Sequence, residues 1–264
     1  MDWMNFPAFA VAAMICGLVG LILIYSGKKS LIWPGIALNV AGIVILLVFI
    51  TTLWVHLDRP PLKTLGETRL WYSFFLFAIG FLVFMRWKYQ WFLAFSLIMS
   101  GIFLLVNYLH PETYSKTLMP ALQSPWFIPH VIVYILSYAL LAGSCLVSVK
   151  GLYLVFTGKS GTEVIGLADN LVYIGFSLLT LGLLFGALWA KTAWGHYWTW
   201  DPKETWAFLT WLSYLIYIHF RLFQAYKTKT ALWILSLAFI ILLICWFGIN
   251  YLPSAQNSVH VYGS

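Results

Sequence analysis

The feature that most constrains this chain is a series of long apolar runs separated by short polar connections. A membrane-spanning helix needs about 20 mainly apolar residues, and lipid admits only helices or closed barrels as spanning structures. The sequence therefore predicts an all-α integral membrane protein, a polytopic bundle of about eight transmembrane helices. The predicted spans are about 8–25, 32–55, 70–85, 90–109, 128–149, 165–190, 203–224 and 231–252.

Composition agrees with this fold class. Hydrophobic residues make up 62% of the chain and charged residues 9%, whereas a soluble domain has roughly 45–50% apolar and about 25% charged residues. No repeat or soluble segment interrupts the runs, so we expect a single integral membrane domain over residues 1–264. Met1-Asp2-Trp3 lacks the basic start of a cleavable signal peptide, so the first run is expected to remain as a span.

The distribution of Lys and Arg between alternate connections predicts an orientation, because positive residues are enriched on the cytoplasmic side. Six of these residues lie on one predicted side and nine on the other, which favours a cytoplasmic (or stromal) location for the second set. Both termini and the connection before the seventh run then face outward. The six are Arg59, Lys63, Arg69, Lys116, Lys191 and Lys203, and the nine are Lys28, Lys29, Arg86, Lys88, Lys150, Lys159, Arg221, Lys227 and Lys229.

Several function classes are disfavoured. The net charge of +7 comes from residues spread over short connections, without the basic patch typical of nucleic-acid binding, so we expect no nucleic-acid partner. The three cysteines, Cys16, Cys145 and Cys245, lie within apolar runs and form no CxxC pair. This pattern is not that of a thiol oxidoreductase or a zinc protein. Without CxxCH, any haem would be held non-covalently.

A short segment before the seventh run carries the strongest functional signal. Residues 191–206 include four tryptophans, a glycine hinge and an acidic cluster, Trp194-Gly195-His196-Tyr197-Trp198-Thr199-Trp200-Asp201-Pro202-Lys203-Glu204-Thr205-Trp206. Asp201, Pro202 and Glu204 have the spacing of an N-cap, first helical residue and capping-box partner. Capping does not explain the tryptophans. A cluster of large aromatic surfaces in one outward-facing loop suits a planar ligand such as haem.

This segment resembles the tryptophan-rich WWD signature of haem-handling proteins in cytochrome c biogenesis. The continuation Asp201-Pro202-Lys203-Glu204-Thr205-Trp206-Ala207 is most similar to the CcsA (ResC) family of the system II pathway, and the resemblance is strongest from about Gln123 onward. It implies a binding site for haem b, held non-covalently and transiently. The residues to which it assigns haem binding are His130, His260, His219, Trp194, Gly195, Trp198, Trp200, Asp201 and Trp206. Lys191 or Lys203 could meet the propionates.

Three histidines are candidate iron ligands. His130 lies near the start of the fifth run and His260 in the C-terminal tail, and the resemblance implies that they are the two outer axial ligands. Taken alone, His130 is equally well an interfacial polar residue, and His260 part of a disordered chain end. His219 lies within the seventh run, where an ionisable residue is by default a functional candidate, and the resemblance implies a haem site within the membrane. His196 is interpreted as polar loop surface.

The resemblance implies transport or presentation of haem and its attachment to apocytochrome c on the outer face of the membrane. The chain would be the haem-binding component of a cytochrome c synthase (haem lyase), acting with a CcsB (ResB)-like partner. The apocytochrome would supply a CxxCH motif, and thiol-reducing proteins would act indirectly. The location would be the bacterial cytoplasmic membrane or the plastid thylakoid membrane. One alternative is a system I haem-handling protein, CcmC- or CcmF-like. The other is a membrane transporter of another amphipathic solute, and the near absence of acidic residues in the runs disfavours this transporter.

Overall fold

The computed structural model describes residues 2–114 and 120–248, which divide into two compact units, Met1–Met119 and Pro120–Ser264. The described residues are helices and short connections, without a β-strand. The expectation of one membrane domain over residues 1–264 stays a prediction. His260 lies outside the described residues.

The first unit contains four long helices: α1 (Phe6–Tyr25), α2 (Lys29–Leu57), α3 (Leu65–Trp87) and α4 (Gln90–Leu109). α1 packs on α2 and α4, and α3 packs on α4. Small residues allow α1 and α2 to approach closely: a Cβ on Gly20 would lie 2.7 Å from the carbonyl oxygen of Gly35, and one on Gly42 would lie 2.8 Å from that of Ala13. Such contacts are typical of helix packing in membranes, where apolar burial alone does not drive association.

The connection between α2 and α3 is fixed by a buried ion pair. Glu67 has no exposed side-chain surface, and its two carboxylate oxygens accept hydrogen bonds from Arg59 at 2.7 and 2.9 Å. The same carboxylate accepts the backbone N–H groups of Lys63 and Thr64, while the Thr64 hydroxyl accepts that of Glu67. This capping box starts α3 at Leu65, five residues before the predicted span, because the first turn is polar.

The second unit contains α5 (Phe127–Phe156), α6 (Thr162–Trp194), α7 (Pro202–Phe223) and α8 (Thr228–Trp246). α5 packs mainly on α6 and also on α8, while α7 packs on α8 and α6. Asp169 of α6 accepts hydrogen bonds from Arg221 of α7 at 2.8 to 3.2 Å and from the Tyr217 hydroxyl at 2.7 Å. This charged contact joins α6 and α7 and gives Arg221 a partner inside the unit.

Seven of the described helices are long and apolar enough to cross a membrane. The remaining long helix, α7, has 22 residues, about 33 Å at 1.5 Å per residue. It is the least apolar of the eight because it carries Lys203, Glu204, His219 and Arg221. The predicted all-α, polytopic membrane fold is confirmed. The predicted spans match the long helices to within a few residues at most ends, and the part of the last span after residue 248 is outside the described residues.

Candidate functional site

The start of α5 is tied to the end of α6, and this contact positions His130. Before α5, the Ser124 hydroxyl lies 2.7 Å from that of Thr192, and the Ala121 carbonyl accepts a 2.7 Å hydrogen bond from the Trp189 indole N–H. α5 then begins at Phe127, one residue before the predicted span. His130, in its first turns, is half-buried. The start of α5 is therefore held by polar contacts as well as by packing.

The imidazole of His130 has a defined orientation. Its Nδ1 lies 2.9 Å from the carbonyl oxygen of Gly182 on α6. A carbonyl oxygen can only accept, so Nδ1 carries the proton in the neutral ring and Nε2 bears the lone pair. The ring lies 4.6 Å from Tyr134 and 5.4 Å from Trp189, centroid to centroid. A metal-binding histidine commonly has this arrangement, in which one nitrogen donates to a carbonyl and the other is the ligand.

Trp189 links His130 to the tryptophan-rich segment. Its ring lies 5.0 Å from Trp194 and 5.1 Å from Phe127. His130, Trp189 and Trp194 thus form one cluster, which we call the His130 cluster. Sequence reasoning missed Trp189, although Gly182, Gly186 and Trp189 share the i, i+4, i+7 spacing of one helix face.

Both ends of the predicted 191–206 loop belong to helices, and only its middle is a connection. α6 continues to Trp194, and Gly195 caps it with φ of +85° and an N–H donated to the Lys191 carbonyl. The Lys191 ammonium donates to the Gly195 carbonyl at 2.8 Å and lies over the Tyr197 ring. The connection itself is residues 195–201, in which His196 is exposed as predicted. Its short length and its bonds to the helix ends give the tryptophans defined positions.

The predicted helix start at Asp201 is confirmed. Asp201 is the N-cap, Pro202 the first helical residue, and Glu204 completes a capping box. Glu204 Oε2 accepts the backbone N–H groups of Thr199 at 2.8 Å and Asp201 at 3.1 Å. These two residues flank Trp200. A single carboxylate therefore holds the backbone on both sides of Trp200.

Trp200 has the least ordinary backbone in this part of the chain. Its φ is +60°, in the left-handed region that is uncommon for a bulky residue. The residue is 64% exposed, with ring contacts to Trp198 at 5.7 Å and Phe208 at 5.8 Å. A strained conformation persists only where its surroundings enforce it, and it is often found at functional sites. Here the Glu204 carboxylate provides the constraint.

Trp206 and His219, the remaining predicted residues that the structure describes, lie on α7. Trp206 is half-buried in the first turns of α7, and its carbonyl accepts from Thr210. His219 is exposed, and its Nδ1 donates to the Leu215 carbonyl at 3.0 Å, which leaves the lone pair on Nε2. It lies seventeen residues beyond Pro202 in α7, about 25 Å along the helix. Over the described residues, no group of three or more His, Cys, Asp or Glu side chains could hold a metal ion.

Comparison with known proteins identifies the family. The model of the cytochrome c assembly protein family matches residues 63–255. Curated relatives named cytochrome c biogenesis protein CcsA include those of Nymphaea alba, 34% identical over 81% of this chain and 81% of the relative, and Chlamydomonas reinhardtii, 31% identical over 94% and 73%. The chain belongs to the CcsA family. The CcsA relative from Guillardia theta is 28% identical over 91% of this chain and 89% of its own length.

Membership of the CcsA family confirms the resemblance found in the tryptophan-rich segment. The chain is a membrane protein of cytochrome c biogenesis. The family match begins at residue 63, so it also includes α3 and α4, well before the segment from Gln123 that carried the resemblance.

Proposed function

We propose that this CcsA-family chain binds haem b transiently and presents it on the outer face of the membrane for attachment to apocytochrome c. The observation that carries the proposal is the His130 cluster. An imidazole with its lone pair on Nε2 packs on Trp189, and Trp189 packs on Trp194, which directly precedes the connection that bears Trp198 and Trp200. Haem is the substrate that needs both an iron ligand and a flat aromatic surface. The sidedness rests on the Lys and Arg distribution.

His130 has the chemistry of an axial ligand. The Gly182 carbonyl sets its tautomer, so no rearrangement of the ring proton is needed before Nε2 binds iron. A second imidazole on the opposite face is a common way to hold haem iron when no open position is needed. His260 is proposed for that role, on the resemblance alone.

The tryptophan-bearing connection has the chemistry of a porphyrin platform. Trp200 is exposed, Trp198 is half-buried at right angles to it, and the backbone around them is held by Glu204. A rigid aromatic side chain buries about 150–250 Å² on contact with a ligand and loses little conformational entropy in doing so. Lys191 and Lys203 are the nearest cations in sequence for the propionates.

His219 is proposed as a ligand on the route of haem across the membrane. It lies on the exposed side of α7, whereas Tyr217 and Arg221 on the same helix bind Asp169 of α6. It lies about 25 Å along α7 from the start of that helix, so it is too far away to share an iron with a ligand at that start. The proposal therefore has two sites, that of the His130 cluster and that of His219 further along α7.

In the attachment step, each of the two thiols of the CxxCH motif adds across one haem vinyl group. The S–H bond and the π bond of the vinyl C=C are broken, and one C–S and one C–H bond form, so the addition itself involves no net oxidation. The role of this chain is to hold haem with its vinyl edge accessible. A CcsB-like partner would complete the synthase, and thiol-reducing proteins would act indirectly by keeping the cysteines reduced.

Maturation of a reporter cytochrome c in cells tests the proposal. His130→Ala should abolish covalent haem attachment, and free imidazole in the medium should restore part of it by entering the site left by the ring. His196→Ala removes an exposed histidine of the same region and should mature the reporter normally. Normal maturation in His130→Ala would remove the ligand from the mechanism, and equal loss in both variants would point to general damage to the connection.

A further inference from the structure

The close fit of His130 against two glycines of α6 suggests what orients this ligand. Gly182 and Gly186 are one helical turn apart, as are His130 and Tyr134 on α5. A Cβ on Gly186 would lie 2.9 Å from both Cε1 and Nδ1 of His130, and a Cβ on Gly182 would lie 2.6 Å from a ring carbon of Tyr134. Real Cβ atoms essentially never approach other atoms closer than 3.0 Å, so both rings occupy space that only glycine leaves.

The hydrogen bond from His130 depends on this fit. The imidazole whose Nδ1 reaches the Gly182 carbonyl at 2.9 Å lies directly on Gly186, where a side chain would collide with it. Trp189, one turn further along α6, packs on the same imidazole at 5.4 Å. The ring therefore has a carbonyl fixing its proton, a glycine beneath it and an indole beside it, all from α6.

We propose that Gly186, together with the Gly182 carbonyl, is a positioning element that fixes the plane and tautomer of His130 so that Nε2 is the iron-ligating nitrogen. The inference rests on the proposed function, because it concerns the ligand named there. A methyl group at position 186 would push the ring off the α6 surface and break the Nδ1 hydrogen bond. The ring would still be present, but it would no longer be aligned as a ligand.

α6 offers two matched control positions. Gly175 packs as tightly as Gly186, with a Cβ 2.8 and 3.0 Å from atoms of Leu141, but it does not contact His130. Gly166 has open space where a Cβ would be. Gly175→Ala thus reproduces the helix-packing cost without touching the ligand, and Gly166→Ala reproduces the change of residue without either effect.

The experiment measures the haem-to-protein ratio and the visible absorption spectrum of the purified full-length chain, with and without free imidazole. Gly186→Ala should bind haem about tenfold more weakly, the size of effect that loss of a ligand-orienting contact has on metal affinity. Imidazole should restore the axial-ligand spectrum, as it should for His130→Ala. Gly175→Ala and Gly166→Ala should keep the wild-type ratio and spectrum.

A double variant separates positioning from misfolding. In His130→Ala with Gly186→Ala, the missing ring leaves room for the methyl group, so protein yield and imidazole-supported haem content should equal those of His130→Ala alone. Additive losses in the double variant, or a Gly186→Ala protein with wild-type haem content, would overturn the inference. If His130→Ala itself kept the wild-type haem-to-protein ratio and spectrum, the proposed ligand would be wrong, which is a different failure.

Discussion

Each of the two units contains a helix-capping box, and the same local contacts occur in two different surroundings. In the first unit, Thr64 and Glu67 start α3; in the second, Asp201 and Glu204 start α7. In both, the glutamate accepts two backbone N–H groups from residues that precede the helix: Lys63 and Thr64 in one case, Thr199 and Asp201 in the other. The local chemistry of the two helix starts is nearly the same.

The surroundings of the two boxes differ. Glu67 is fully buried and paired with Arg59, and the adjoining Leu62 is 1% exposed. Glu204 is half-buried and holds Trp200, which is strained at φ of +60° and 64% exposed. The first box fixes a buried connection, whereas the second fixes the backbone around an exposed tryptophan. Variants in the first should therefore cost mainly stability, and variants in the second mainly haem binding.

The largest effect on stability is expected for Arg59→Ala. It leaves the buried Glu67 carboxylate without its cation, which should lower the free energy of unfolding by about 3 kcal/mol. Thermal unfolding of the detergent-solubilised protein measures the change. Arg59→Lys keeps the charge but not the two hydrogen bonds of the guanidinium, so its stability should lie between those of Arg59→Ala and wild type. Wild-type stability together with loss of haem in Arg59→Ala would reverse the roles assigned to the two boxes.

Glu204→Ala is expected to lose less stability than Arg59→Ala but more haem binding. Removing one capping interaction should cost about 1 kcal/mol, while the backbone on both sides of Trp200 loses its acceptor. The haem-to-protein ratio should fall well below wild type. Glu204→Gln keeps an oxygen that can accept both N–H groups and should retain most of the haem. An equal haem content in Glu204→Ala and wild type would show that Trp200 does not depend on this carboxylate.

The smallest expected effect is a difference in stability between two variants of Trp200. Both Trp200→Gly and Trp200→Ala remove the indole and should lower haem binding equally. Glycine also relieves the left-handed strain, so Trp200→Gly should be more stable than Trp200→Ala by about 1 kcal/mol. Their difference in thermal unfolding isolates the strain from the loss of the ring. If alanine is as stable as glycine, the backbone at this position is not strained.

The same comparison shows what the sequence could predict. The apolar runs predicted all eight long helices, and the Asp201-Pro202-Lys203-Glu204 pattern predicted the start of α7, because both depend on nearby residues. The start of α3 was predicted too late. Its apolar run begins at Leu70, whereas the capping pattern Thr64-Leu65-Gly66-Glu67, which starts the helix, lies before that run.

The parts of the site that depend on packing between helices could not be predicted. His130 was identified as a candidate, but its contact with Gly182 and Gly186 joins residues more than fifty positions apart. The left-handed backbone at Trp200 has a local cause, the Glu204 carboxylate four residues later, but the residue types alone do not show this conformation. Local patterns predicted the residue types of the site, and tertiary contacts define their orientation.

The most direct test of the central claim is the visible absorption spectrum of the wild-type chain purified in detergent from cells with ample haem. A Soret band with bound haem, diminished in His130→Ala and recovered with free imidazole, is the result predicted here. A purified, folded chain without a Soret band under these conditions would contradict haem presentation by this protein and would favour a transporter of another amphipathic solute.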